Sequence, residues 1–167
     1  TAMNLAAALE TRDRLLPALS RLESVLGERA VALETVVKTG RTHLMDALPL
    51  TLGQELGAWR ELVAMGRRRI ANAAEELLTV PLGGTAVGTG LGAPPGFGER
   101  AAVRLAADTG LALRVADHRF THQAAHPAPL ALSGALRDLA ASLHKIAEDT
   151  RLLASGPRCG LGELVLP

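Results

Sequence analysis

From Ala2 to about Val37 one apolar stripe runs without a break through Leu5, Leu9, Leu15/Leu16, Leu19, Leu22, Leu26, Ala30, Leu33 and Val37. Steps of three and four place these residues on one face of an α-helix. At about 1.5 Å per residue that helix is roughly 54 Å long, well beyond the usual three or four turns. A rod of this length cannot bury its stripe against a small partner and calls for long neighbours. Pro17 lies inside it and removes an amide donor, which predicts a kink or at least a lost hydrogen bond. Composition points the same way. Leu and Ala make up about a third of the chain, and Trp59, Phe97 and Phe120 are its only aromatic residues. With strong helix formers abundant and sheet formers scarce, the expected class is all-α, a bundle of long helices.

The rest of the chain divides by its punctuation. Thr39-Gly40 is expected to end the first helix, with Gly40 as a left-handed cap, and a short loop through Asp46 and Pro49 is expected after it. Thr51-Leu52-Gly53-Gln54 reads as a capping box. It opens a second helix to about Leu78, with Leu52, Leu56, Trp59, Leu62/Val63, Ile70 and Leu77 on its apolar face. Gly53, Gly57 and Gly66 cost this helix propensity and are read as points where another backbone comes close. Residues 83–98 hold seven glycines together with Pro94 and Pro95, and predict an irregular loop. Helices are therefore expected at about 2–37, 51–78, 99–109 and 123–154. Three long helices with one apolar face each do not close a bundle by themselves, so an oligomer or a piece of a larger protein is expected.

Several functions are excluded early. The 18 Lys+Arg against 17 Asp+Glu give a formal net charge of +1, which leaves no basic footprint for nucleic acid. One cysteine, Cys159, permits neither an internal disulfide framework nor a Cys-based zinc site. No apolar run reaches the roughly 18–20 residues that span a bilayer, and Thr1 does not open a signal peptide. A cytoplasmic protein without membrane contact is expected.

Three clusters invite chemistry. Gly88-Thr89-Gly90-Leu91-Gly92-Ala93 satisfies a loose G-x-G-x-x-A pattern, but the strand–loop–helix setting and distal carboxylate of a dinucleotide site are not visible. His118, His122 and His126 are four apart, a spacing that would align imidazoles on a helix. Pro127 and Pro129 oppose a regular helix there, and no carboxylate flanks them at ligand spacing, so no metal is expected. Gly40-Arg41-Thr42-His43-Leu44-Met45-Asp46-Ala47 places a cation, a hydroxyl, an imidazole and a carboxylate at a helix junction. Those groups suit an anionic substrate, with Arg41 or charged imidazole for attraction, Thr42 for a hydrogen bond and His43 for proton transfer.

The segment from Lys38 to Glu55, KTGRTHLMDALPLTLGQE, resembles the second signature of class II fumarases in the fumarase/aspartase superfamily. Leu82–Leu91, Leu132–Leu136 and Ser155–Pro167 resemble the same family, and Thr1-Ala2-Met3-Asn4 matches its entry into the first central helix. The likeness covers essentially the whole chain in order. It implies a central helical domain whose rods pack with those of three other subunits in a homotetramer, and reversible addition of water to fumarate to give L-malate without metal or organic cofactor. It implies an active site shared between subunits, with Thr42 binding a substrate carboxylate and His43 as the catalytic histidine. Residues 1–167 are then a single partial domain. The resemblance puts an N-terminal Ser-Ser-Asn domain before it, and a serine-bearing mobile loop and a Lys-x-Asn segment after it. The isolated chain is accordingly expected to be inactive.

The likeness has departures. Gly92 stands where the family carries Asn, and residues 117–122 differ from its Asn-Lys-Phe-Glu pattern, so no role is carried onto them. Aspartate ammonia-lyases usually have Gln at the position of His43 and Ala-Thr at Gly84-Thr85, which favours a fumarase over them and over other lyases of the superfamily. A helical oligomerisation module without catalysis is the alternative of a different class.

Overall fold

A computed structural model describes residues 1–167. Its elements are α1 (Ala2–Glu10), a π-helical segment (Thr11–Leu15), α2 (Leu16–Ala32), β1 (Val37–Thr42), β2 (Met45–Thr51), α3 (Leu52–Glu76), β3 (Thr79–Val80), α4 (Phe97–Thr109), β4 (Arg114–Val115), α5 (Arg119–Ala124) and α6 (Pro127–Leu153). Long helices dominate, as the stripes require. They contribute to two compact units, one of residues 1–18 and 67–136, the other of residues 19–66 and 137–167.

In the second unit α3 enters through the expected box. Gln54 N donates to Thr51 Oγ1 at 3.1 Å and Thr51 N donates to Gln54 Oε1 at 3.0 Å, so two amides left without helical partners are satisfied reciprocally. Leu52, Trp59, Val63 and Ala64 are buried here with Leu19, Leu139 and Leu153. The inward face of α3 steps by four and three through 52, 56, 59, 63 and 66, the spacing of a heptad seam. Gly53 and Gly66 belong to that seam. A Cβ on Gly53 would press into the Ala30 carbonyl oxygen and stand 2.7 Å from Glu34 Cα, so a backbone does approach there. At Gly66 the neighbour is a side chain, Leu139 Cδ1 at 2.7 Å, and at Gly57 nothing lies within 4 Å. The close-approach reading holds in full only for Gly53.

The first unit continues the pattern with Ile70 and Ala73 of the same helix and Leu77 just beyond its end, buried together with Ala8, Ala102, Leu111, Ala128 and Leu132. Asn4 is buried, and its Nδ2 donates to the Leu77 carbonyl at 3.3 Å. Arg12 Nη1 donates to the Thr109 and Gly110 carbonyls, both at 3.1 Å, where α4 ends on Gly110 at φ +66°. A guanidinium there satisfies carbonyls that the helix leaves unpaired. Strands β3 and β4 pair in parallel over two residues each.

The structure corrects the sequence reading at three places. The first helix stops at Ala32 rather than Val37: residues 33–35 form a turn, and the β-branched pair Val36-Val37 leads into β1. Beyond it the chain forms not a helix cap and loop but an antiparallel hairpin of β1 and β2, with Val37 opposite Thr51 and Thr42 opposite Met45. Gly40 has no left-handed φ. It is needed because a Cβ would stand 2.5 Å from the Leu48 carbonyl oxygen, at a register shift where Ala47 and Leu48 face Gly40 alone. The last helix begins at Pro127 rather than 123, since Ala125 is extended (φ −141°, ψ 170°) and separates it from α5. At Pro17 the helix is not broken. The missing donor and the crowded Asp13 carbonyl coincide with the π-turn at Thr11–Leu15, which widens the coil locally.

These contacts set opposite expectations for two glycines one turn apart. Gly53→Ala should lower the unfolding free energy by about 3 kcal/mol, since backbone cannot retreat from the new methyl. Gly57→Ala should raise it by about 1 kcal/mol through helix propensity alone. Denaturant unfolding of both variants checks the pair.

Candidate active site

The hairpin turn is the chemically richest point of the chain. Only His43 and Leu44 join β1 to β2, at φ +51° and +61°. A two-residue hairpin loop favours positive φ at both positions, because that backbone twist matches the strands. Glycine and asparagine usually supply it. A leucine in this region carries strain of about 1–3 kcal/mol, so the surrounding structure has to hold it. Thr42, the last residue of β1, precedes the turn.

Thr42, His43 and Leu44 line one side of an open concavity of about 650 Å³, with Lys38, Arg41 and Leu48 of the hairpin and Lys145, Asp149 and Leu153 of α6. Thr42 and His43 are both exposed. Neither side chain is engaged in a hydrogen bond within the chain. A hydroxyl and an imidazole therefore stand adjacent, uncommitted, at the rim of a cavity.

Arg41 is different. Its guanidinium is bound to Glu163 and lies 4.0 Å from Asp46. Lys38 Nζ sits 2.7 Å from Glu55 Oε2 and 3.0 Å from Glu163 Oε2, with its side chain only 9% exposed. Four charges thus alternate in sign, two from β1, one from the first turn of α3 and one from the segment after α6. The Arg41 hydrogen bond, helped by Lys38, outweighs partial burial and holds the Glu163 carboxyl below its ordinary range, while Glu163 raises Arg41. The expectation that Arg41 is available to an anionic substrate is corrected by this pairing. Lys38, Glu55 and Glu163 escape a reading of the sequence as site residues, because their relation spans 17 and 122 positions and obeys no local motif.

The other candidates disperse. His118 stands at the N-cap position of α5 without a side-chain cap, its Nδ1 2.8 Å from Thr121 Oγ1, His122 lies within α5, and His126 falls after the break. No group of three or more His, Cys, Asp or Glu side chains is placed to hold a metal ion. In the glycine run, Gly88 N and Gly90 N both donate to the Gly84 carbonyl, at 2.9 and 3.0 Å, so amides that a phosphate would need are already used. A minimal parallel β3–α4–β4 crossover does exist, contrary to the sequence reading, but α4 begins at Phe97, beyond the glycine pattern.

Comparison with known proteins now bears on this geometry. A family model described as lyase matches residues 1–167. The chain belongs to this lyase family. It is 53% identical over its full length to a class II fumarate hydratase of Thermosynechococcus vestitus, and 47% identical to a mitochondrial fumarate hydratase of Rhizopus oryzae. It covers 36% and 34% of those proteins, so it spans about a third of the curated relatives it matches. Among solved structures, a recombinant class II fumarase from Schistosoma mansoni superposes with a TM-score of 0.94 at 36% identity, over 100% of this chain and 38% of that one. A fumarate lyase:delta crystallin from Brucella melitensis bound to cobalt gives 0.88 at 37% identity, over 95% and 35%. The all-α bundle and the likeness to class II fumarases read from the motifs are both found along the whole chain.

Two expectations come from the turn and its charges. Because the folded Glu163 carboxyl titrates below its ordinary 4.5, the stability it supplies is complete above that value and lost as pH falls through the lowered one. Glu163→Gln should therefore cost about 2 kcal/mol at pH 7, and urea midpoints of variant and parent should converge in acid. Leu44→Gly should stabilise by about 1 kcal/mol through relief of the left-handed leucine, read by thermal unfolding.

Proposed function

We propose that the protein containing this chain adds water reversibly to fumarate to give L-malate, with Thr42 and His43 at the substrate. The observation that carries this reading is the full-length likeness to class II fumarate hydratases, together with an uncommitted hydroxyl–imidazole pair at the rim of a cavity. In the hydration, water oxygen bonds to one olefinic carbon and a proton to the other. The reverse reaction removes a proton next to a carboxylate, so negative charge accumulates on that carboxylate as the C–H bond breaks. A hydroxyl donor and an imidazolium at those oxygens stabilise the charged transition state more than the ground state. Thr42 is assigned the hydrogen bond to a carboxylate. His43 is assigned proton exchange or charge pairing with the dicarboxylate.

Residues 1–167 are taken as a partial helical domain of a longer enzyme, and the enzyme as a homotetramer whose site is completed by neighbouring subunits. The exposed apolar residues support this: Val25 and Val31 of α2, Leu48 of the hairpin and Leu130 of α6 are left without cover within the chain. No helix is long and apolar enough to cross a membrane. A free, exposed Cys159 suits a reducing compartment, and we place the enzyme in the cytoplasm.

The test is kinetic and uses the full-length protein. His43→Asn should lower kcat by about 10²- to 10⁴-fold with helicity intact. Thr42→Val should raise KM for malate by roughly tenfold or more, as loss of a hydrogen bond to a charged group requires. Ammonia release from aspartate, or His43→Asn turnover equal to the parent's, would overturn the assignment.

A further inference from the structure

A strained turn at the tip of a two-stranded ribbon needs an external frame, because an isolated hairpin is only marginally stable in water. Most of β1 and β2 is exposed, and β1 turns inward chiefly at Lys38, Gly40 and Arg41. The two cations are bound from elsewhere. Glu55 in the first turn of α3 holds Lys38, and Glu163 holds both Lys38 and Arg41. Glu163 is itself fixed by the main chain. Its amide and that of Leu164 donate to the Leu153 carbonyl at 2.8 and 3.2 Å, where α6 ends. A continuous path thus runs from the end of α6 through Glu163 to Arg41, the residue before Thr42.

Resting on the assignment of Thr42 and His43 above, we propose that Glu163 is a positioning residue. Through Arg41 and Lys38 it sets the placement of the Thr42–His43 turn against the cavity. Glu163 does not line that cavity. It holds the strand that presents the pair and is not expected to touch substrate. Its carboxylate is the one group in the cluster that binds both cations of β1, so its removal leaves Lys38 to Glu55 alone and Arg41 to the 4.0 Å contact with Asp46 within the hairpin.

The experiment uses the full-length protein with Glu163→Gln and Glu163→Asp. Hydrogen exchange across residues 37–46 should accelerate by about tenfold in E163Q with α3 and α6 unchanged, as for local opening of one hairpin. Per folded molecule, KM should rise and kcat/KM should fall by about 100-fold, the penalty of a misplaced site. E163D, which keeps the charge, should recover part of both. Exchange and kinetic constants that stay within about twofold of the parent would overturn the proposal. So would a simple loss of folded protein whose survivors keep the parental KM. A loosened turn in a protein that never hydrates fumarate would uphold the positioning role and sink only the activity assigned above.

Discussion

Lys38 brings an ammonium to a place where little water reaches it, and much of the hairpin's geometry is the answer to that charge. Taking an ion out of water costs several kcal/mol even after relaxation. The cost is met only if carboxylates arrive at hydrogen-bonding distance from fixed directions. Glu55 arrives because the Thr51–Gln54 box starts α3 there. Glu163 arrives because the chain after α6 folds back on the Leu153 carbonyl. The ribbon between them has little hydrophobic cover of its own, so electrostatics rather than burial decides where it lies. That is an unusual division of labour in a chain whose other elements are held by leucine and alanine.

The seam of α3 shows the complementary principle. Its inward positions combine bulky Trp59, Val63 and Ile70 with small Gly53, Gly66 and Ala73. Small residues let backbone or a leucine side chain come closer than a uniform leucine seam would permit. The core is therefore built almost without aromatic rings, Trp59 being buried while Phe97 and Phe120 are exposed.

Much of this is legible in the residues. Apolar spacing locates the long helices, the capping box locates the start of α3, and Gly110 marks the end of α4. The Thr42–His43 pair is recognisable because its neighbours carry a family signature. The hairpin is not legible, since Leu33 and Val37 continue the helical period by coincidence and mask the β-branched run Thr35-Val36-Val37. A His-Leu turn also lacks the Asn-Gly or Asp-Gly signal that announces a two-residue hairpin loop. The partnership of Arg41 with Glu163 lies beyond any local reading, because only the folded chain brings residues 122 apart together.

The widened turn at Thr11–Leu15 has a consequence for how chains of this type can differ in length. A π-turn is the form a helix takes when it accommodates one surplus residue. Dropping a residue from that stretch would return the coil to ordinary pitch while Asn4 and Ala8 on one side, and Leu19 on the other, keep their orientations. Anywhere else along α2 or α3 the same deletion would rotate every later side chain by about 100° and turn the packed face outward.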